Sequence, residues 1–367
     1  MQPGQSSAQW ILRGLSCVLG LSVCACGKNG GAKPVGQDAV LVDFAAQIVI
    51  PTYQLFETRA TALRAATEIF TGARTPANLE ALRLAWVGAR SPWEQSEAFL
   101  FGPVEAYSFD AAVDSWPLNH TDLASVLSSS AEFTADLVDS RLAPTEKGFH
   151  AIEYMIYGEN SQKKATAFTD RELSYTKAAA DNLAKVAHQL VVSWRDGIDG
   201  HPPFAAVFAG AGAEDNTSYA SITAAREQII AGMEAICTEV ADTKIGAPFV
   251  EQNPNKVESQ FSYNSLADFA DNLRSVQNAY TGTVPASATA GTPLAGIIQA
   301  SDVNLDAQVR QEIQMAIDAI NQIPGPFPVK MLDKANAAAI TAAQTAIVKL
   351  QATLHDQVAP LLAKAGT

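Results

Sequence analysis

Residues 38–70 read DAVLVDFAAQIVIPTYQLFETRATALRAATEIF, and the spacing of apolar residues in this stretch decides the fold class. Apolar side chains recur every three or four positions, as one face of a helix requires; they include Val42, Ala45, Ala46, Val49, Tyr53, Phe56, Leu63 and Phe70. A half-buried strand would alternate apolar and polar residues with a period of two. The stretch therefore predicts a long amphipathic helix in which Pro51 marks a break or a kink.

The rest of the chain repeats the helical period. Thr75 is a good N-cap and Pro76 a good first residue for a second helix, and Ser91-Pro92 gives the same signal for a short helix through Phe101. Further helices are predicted over Asp122–Leu142, Glu146–Tyr157, Asp170–Asp196, Ser218–Ala241, Ser265–Tyr280, Leu305–Ile323 and Asp333–Leu362. Since no segment shows sustained strand alternation bounded by turns, the chain is predicted to be all-α.

Three stretches lack this period, namely residues 197–216, 242–263 and 282–304. The first combines Pro202-Pro203 with a Gly-Ala run near mid-chain, which is typical of a boundary between domains. We therefore expect two helical bundles of the four-helix type, residues 38–200 and 217–367, packed with a cleft between them and joined by a linker at 201–216.

The N-terminus predicts export. Arg13 precedes an apolar stretch, Leu15–Val23, whose length suits the core of a signal peptide over residues 1–25 and is too short to span a membrane. Ala25-Cys26 then resembles the lipobox of bacterial lipoproteins, in which the cysteine is acylated, and residues 26–37 have the composition of a flexible tether. We expect an exported protein anchored through Cys26 and facing the periplasm, with Gly27 compatible with the outer membrane; ordinary secretion with cleavage nearby is the alternative.

Composition excludes one class of partner. A net charge of −13 argues against nucleic acid, whose binding requires a face rich in lysine and arginine. The same acidity suits the binding of a cation, and it equally suits solubility. After processing, Cys237 is the remaining cysteine, so the fold must depend on its core and not on an internal disulfide.

The best candidate for chemistry is the segment Gly148-Phe-His150-Ala-Ile-Glu153. Residues three apart on a helix share a face, so His150 and Glu153 can present an imidazole and a carboxylate to one cation. Gly148 lies at the helix start, where glycine allows a sharp turn or a close backbone approach. An exposed pair without a ligand is the alternative.

Two other segments carry carboxylates among bulky residues. Glu97 lies between Trp93 and Phe101, where a buried carboxylate must be paired or coordinating; the alternative is an exposed Glu97, with Arg90 and Glu94 as a surface pair at i,i+4. In the segment from Glu258 to Asp268, Asn264 or Ser265 can cap the following helix, and Asp268 can simply complement its dipole.

Together these segments resemble the imelysin-like family over roughly residues 38–362. The resemblance rests on three blocks in the family's order, which are Gly148-x-His150-x-x-Glu153, Arg90…Glu97-Ala-Phe…Phe101-Gly-Pro, and Glu258…Phe-Ser262…Asn-Ser-Leu-Ala-Asp268-Phe…Tyr280-Thr-Gly282. It implies two helical bundles with the signature His and Glu near the cleft. We expect one cation to join the blocks through His150, Glu153, Glu97 and Glu258, with Arg90, Gly148, Ser262 and Asp268 around it.

Carboxylates and imidazole without thiolates suit a divalent metal ion such as iron, manganese or zinc, and we expect iron or zinc. The resemblance implies a role in iron uptake or handling, with the membrane, the metal and an uptake-system partner as contacts. A metallopeptidase acting on a peptide substrate is an alternative, although the chain contains no His-Glu-x-x-His and its catalytic residues stay open. A non-catalytic binding or adhesion lipoprotein is a second alternative.

Overall fold

A continuous helical rod begins the part of the chain that the computed structural model describes, residues 38–365. It comprises α1 (Ala39–Asp43), a π-helical turn (Phe44–Val49) and α2 (Ile50–Gly72). Pro51 is the second residue of α2, and the π-helical turn lies directly before that helix, close to the break or kink expected at the proline. By length and composition the rod is apolar enough to cross a membrane, but half of its apolar window is buried inside the fold, as in a core helix.

The first half of the chain continues with α3 (Pro76–Glu94), α4 (Pro103–Ala106), α5 (Phe109–Asp114), α6 (His120–Ser128), α7 (Ala135–Arg141), α8 (Gly148–Tyr157), α9 (Asp170–Arg195) and α10 (Phe204–Ala209). Capping sets two of these starts: the Thr75 hydroxyl accepts the N–H of Asn78 at 3.1 Å, and Thr169 forms a capping box with Glu172. The apolar faces of α2, α3 and α9 pack together as the core of this half.

The second half contains α11 (Ile222–Thr238), a π-helical turn (Glu239–Gly246), α12 (Ala247–Glu251), α13 (Ser265–Thr281), α14 (Leu294–Ser301), α15 (Val303–Asn321), α16 (Phe327–Lys330), α17 (Ala337–Thr353), a π-helical turn (Leu354–Val358) and α18 (Ala359–Ala365). Its core forms where α13 and α17 pack against α11 and α15. Since residues 38–365 include no β-strand, the all-α prediction is confirmed.

Several of the predicted segments differ from the structure, among them the stretch 282–304, which was expected to be irregular but contains α14. The helix expected over Asp122–Leu142 is broken between α6 and α7, because the Thr134 side chain caps a new helix there. Pro92 does not start a helix but lies inside α3, and a short 3-10 turn (Glu97–Phe99) follows. The stretch 242–263, expected to be irregular, continues the helical path as far as Glu251.

Helices from the two halves of the chain meet around α3. α13 packs along α3, and Gly232 of α11 lies so close to the 3-10 turn that an added Cβ would be 2.1 Å from the Ala98 carbonyl oxygen. The described residues 38–365 belong to one compact unit, and α10 lies within the expected linker. The division into two bundles at residues 201–216 stays a prediction.

Candidate functional site

Gly148 places the start of α8 against the end of α5. Its φ is +75°, a conformation that favours glycine, and an added Cβ would lie 2.3 Å from the carbonyl oxygen of Val113. The next residue in the chain after Val113 is Asp114, the last residue of α5. The close approach that glycine permits therefore brings His150, in the first turn of α8, next to Asp114.

The His150 ring is fully buried and has different surroundings at its two nitrogens. Nδ1 lies 3.1 Å from Glu153 Oε2 in hydrogen-bond geometry. Nε2 lies 3.0 Å from Asp114 Oδ1 and 3.6 Å from Glu258 Oε1, but neither contact has hydrogen-bond geometry. One atom each from Asp114, His150 and Glu258 lie within 4.8 Å of one another, so these three residues could hold a metal ion together.

Glu153 is held at both of its carboxylate oxygens. Oε2 faces His150, while Oε1 accepts hydrogen bonds from the backbone N–H and the hydroxyl of Ser262, each at 2.7 Å. A carboxylate that is fixed on one side and bound to a ring N–H on the other orients the imidazole and leaves the second ring nitrogen to a ligand.

Arg90 is the central cation of the cluster and is fully buried. Its guanidinium donates hydrogen bonds to Asp114, to Glu258 Oε1 at 2.6 Å and to Asp268 Oδ2 at 3.4 Å. It also lies 2.6 Å from Glu94 Oε1. The ionic contacts therefore join α3, α5 and α13 with the loop that carries Glu258.

A second buried cation, Lys244, comes from the π-helical turn after α11. Its ammonium lies 3.0 Å from Glu258 Oε2 and 3.7 Å from both Glu94 Oε2 and Glu239 Oε1. Glu94 is further fixed by the Asn272 amide of α13, which donates to Oε2 at 2.5 Å. Both halves of the chain therefore supply charge to the site.

The cluster contains more buried carboxylates than cations. Six carboxylate side chains, Glu94, Glu97, Asp114, Glu153, Glu258 and Asp268, share it with Arg90, Lys244 and His150. Burying uncompensated charge costs free energy, so such an excess favours an added cation or proton uptake. Burial accordingly raises the pKa of Glu94 and Glu97, and it raises the pKa of Asp268 to about 7.

Neighbouring charges decide the remaining pKa shifts. Burial alone would raise the pKa of Asp114 and Glu258, but Arg90 next to Asp114, and Lys244 with Arg90 next to Glu258, hold both below their usual values. For His150, burial acts to lower the pKa, and the carboxylates of Asp114 and Glu153 outweigh it and raise the pKa well above its usual value. The neighbouring carboxylates therefore favour the protonated form of the metal-free ring.

A cavity of about 340 Å³ reaches the cluster. Its lining includes Asp114, Glu258, Lys244 and Glu97 from the cluster, together with Trp116. The Trp116 ring covers His150 edge to face at 4.9 Å between centroids. A small ligand can therefore approach the cluster from this side.

The predicted site residues fall into two groups. His150 and Glu258 lie together with Asp114, with Glu153 at the other ring nitrogen. Glu97 instead shares a neighbouring group with Glu94 and Asp114. Of the surrounding residues, Arg90, Gly148, Ser262 and Asp268 all lie at or next to the cluster.

Two expectations about side chains are corrected by the structure. Glu94, expected on the surface with Arg90, is fully buried because Asn272 and Lys244 cover it. The Asn264 side chain does not cap α13 but donates to Asp268 Oδ1 at 2.7 Å.

Two residues of the cluster were not identified from the sequence. Asp114 ends a six-residue helix in a stretch without a clear apolar period, and Lys244 lies in the stretch 242–263, which was expected to be irregular. The sequence offered only the residue types as a signal for these two positions, because a local sequence pattern does not show whether a particular Lys or Asp is buried.

The fold and the site together define an all-α protein in which helices from both halves of the chain enclose an acidic cluster with one buried histidine. The chain belongs to the imelysin family, whose model matches residues 49–354.

Two relatives carry a more particular description. The chain is 33% identical to iron-regulated protein A of Synechococcus elongatus over 350 residues, covering 95% of this chain and 93% of that protein. It is 25% identical, with a TM-score of 0.78, to the crystal structure of a protein described as an iron-regulated protein A precursor from Parabacteroides distasonis, covering 93% and 97% of the two chains. An imelysin-like protein from Psychrobacter arcticum shares the fold, with a TM-score of 0.70 at 17% identity over 88% and 94% of the chains.

Proposed function

We propose that this imelysin-family protein binds a divalent metal ion at His150, Asp114 and Glu258 and acts in iron uptake or handling. One observation carries the proposal: His150 Nε2 is buried without a hydrogen-bond partner and faces two carboxylates. An imidazole and two carboxylates form a ligand set that suits iron or zinc. Iron is favoured over zinc by the relative named iron-regulated protein A.

This proposal differs at two positions from the ligand set expected from the sequence, which was His150, Glu153, Glu97 and Glu258. Asp114 replaces Glu153 as a ligand, because Asp114 lies 3.0 Å from the unpartnered Nε2 of His150, whereas Glu153 lies at Nδ1 on the other side of the ring. Glu97 belongs to the neighbouring group and contributes charge at the cavity. Metal binding would displace the proton from His150, so affinity should fall as the pH is lowered.

Metal content of the purified protein tests the proposal. Protein prepared without chelator should carry close to one equivalent of metal, and His150→Ala should lose it while keeping its helical circular dichroism. The matched control is His188→Ala, since His188 also pairs with a glutamate, Glu57, at 2.7 Å but is 60% exposed. Full metal retention in His150→Ala would overturn the proposal.

The cavity of about 340 Å³ beside the cluster is the observation that favours the metallopeptidase alternative. A peptidase needs a metal with an open position and a base to activate water, and Glu97 at the cavity could supply the base. Incubating the metal-loaded protein with a mixed peptide library separates the two functions. Metal-dependent cleavage that Glu97→Gln abolishes would favour the peptidase, whereas intact peptides with bound metal would favour handling.

Export and anchoring through Cys26 are part of the proposal, and Cys26 lies outside the described residues. The support is the sequence itself, an apolar core followed by Ala25-Cys26. Cys26→Ser should release the protein from the membrane fraction, because the acyl chains are then missing. Cys24→Ser is the control and should stay with the membrane; the opposite result would move the anchor to Cys24.

A further inference from the structure

We propose that Lys244 is a built-in competitor for the metal ion, an inference that rests on the function proposed above. In the metal-free protein its ammonium neutralises Glu258 and Glu94. When a metal binds to the other oxygen of Glu258, the ammonium withdraws into the cavity. Lys244 therefore lowers the affinity and keeps binding reversible.

The two cations of the cluster are held in different ways. Arg90 donates hydrogen bonds to Asp114, Glu258 and Asp268, and its guanidinium lies over the Phe149 ring at 5.2 Å. Lys244 lies 3.0 Å from Glu258 Oε2, yet that oxygen has no partner in hydrogen-bond geometry. Lys244 is thus attached to Glu258 by charge alone and is the easier of the two to displace.

The surroundings of Lys244 give the ammonium a place to move. It lines the cavity together with Glu239, which is half exposed and lies 3.7 Å away. A lysine has a flexible four-carbon stem, whereas the guanidinium of Arg90 is fixed as a planar fork. A small rotation can transfer the ammonium from Glu258 towards Glu239 without moving the backbone.

Competition follows from the position of Glu258. Its Oε1, which also accepts a hydrogen bond from Arg90 at 2.6 Å, lies 3.6 Å from His150 Nε2, on the side of the proposed metal, and its Oε2 faces Lys244. A metal ion on Oε1 and an ammonium on Oε2 would be like charges a few ångströms apart, and their repulsion is strong where water is excluded. Replacing Lys244 by a neutral residue removes this repulsion and leaves the buried carboxylates with one fewer compensating positive charge.

The test compares metal affinity in Lys244→Met, Lys244→Gln and Lys244→Arg with the unchanged protein. Zn²⁺ is the redox-inert probe, measured by competition with a chromophoric chelator, and Fe²⁺ is measured under anaerobic conditions. We expect both neutral variants to bind on the order of tenfold more tightly, mainly through slower dissociation. Lys244→Arg keeps the charge and should stay close to the unchanged protein.

Lys256→Met is the matched control. Lys256 lines the same cavity but pairs with Glu251 at 2.7 Å, where both side chains are about half exposed. Its loss changes the net charge equally, so it should leave the affinity nearly unchanged because water screens its charge. A second readout is the NMR signal of Lys244 after reductive ¹³C-methylation, which should shift when Zn²⁺ is added.

The possible outcomes separate this inference from the function on which it rests. Equal or weaker binding by the neutral Lys244 variants, in a chain that does bind metal, overturns the role of Lys244 alone. Absence of metal binding by the unchanged protein overturns both proposals. If Lys244→Met fails to fold, the affinity of the polar Lys244→Gln variant decides the question. If Lys256→Met binds metal more tightly by the same factor, the effect is one of net charge, and the specific role of Lys244 is overturned.

Discussion

Arg90 and Arg195 form the same kind of contact in opposite surroundings. Each places a guanidinium nitrogen 2.6 Å from a carboxylate, Arg90 on Glu258 and Arg195 on Asp196. Arg90 is fully buried, whereas Arg195 and Asp196 are 44% and 50% exposed. The distance between two charges therefore says little about their importance, because water screens one pair and is excluded from the other.

The buried cluster is costly to build, and this cost indicates function. Removing charges from water is often not repaid by their mutual attraction, so hydrophobic residues of similar size would frequently serve stability as well or better. Arg90 is compensated by four carboxylates and by the Phe149 ring, yet the cluster as a whole remains acidic. Such an arrangement is typical of a binding site and not of a structural core.

From this comparison we expect the replacement of Arg90 to have the largest effect on stability. Arg90→Met would leave several buried carboxylates without their main cation, and we expect it to lower the free energy of unfolding by about 3–5 kcal/mol. Urea denaturation at neutral pH measures the change. Arg195→Met is the control and should show no measurable loss, and equal effects of the two substitutions would contradict the distinction between buried and screened pairs.

The same contrast explains one limit of the sequence analysis. Spacing correctly related Arg90 to Glu94 at i,i+4, but it suggested a surface pair, since that is the usual meaning of the pattern. What buries the pair is α13, a helix about 180 residues further along the chain by the numbering of Asn272. A local pattern describes one helix face and contains no information about the distant segment that covers it.

Backbone geometry around the cluster gives the second expected effect. In Gly148→Ala the new Cβ would lie 2.3 Å from the Val113 carbonyl oxygen in a backbone with φ of +75°, so we expect a loss of about 1–3 kcal/mol and weaker metal binding. Gly88→Ala, at an open position inside α3, should instead stabilise by about 0.5–1 kcal/mol. Thermal unfolding of both variants measures the opposite signs, and equal signs would show that the contact with α5 yields.

Gly148 also shows what the sequence could predict about the site. A glycine at a helix start beside His150 and Glu153 indicated a close approach, and the structure has that approach against α5. The partner that it brings to His150, Asp114, lies 36 positions earlier by its numbering, in a helix too short to give a periodic signal. All-α architecture and one helix face were therefore predictable, whereas contacts between segments required the folded chain.

The pair Lys163–Glu172 is intermediate in exposure between the buried Arg90 cluster and the exposed Arg195–Asp196 pair. Of the predicted changes in stability, we expect its loss to give the smallest. Its side chains are 12% and 22% exposed, and the ammonium lies 2.7 Å from Glu172 Oε1. Glu172 also accepts the N–H of Thr169 in the capping box at the start of α9. Because it is partly buried, this pair should contribute measurably to the free energy of unfolding without the desolvation cost of the Arg90 cluster.

Glu172→Gln keeps the shape of the capping residue but removes its charge, and we expect a loss of about 0.5–1 kcal/mol at neutral pH. Burial acts to raise the pKa of Glu172, but Lys163 and the Thr169 N–H outweigh it and hold the pKa below the usual 4.5. The charge is thus favoured by folding, so its contribution is fully present above about pH 4.5 and is lost as the pH falls through the lowered pKa. Urea denaturation of both proteins across the acid range should show their stabilities converging at low pH.

The control is Asp170→Asn in the same helical turn, where the carboxylate is 90% exposed and no comparable convergence is expected. A loss of stability in Glu172→Gln that does not change with pH would mean that Glu172 stabilises the fold through packing and not through its charge.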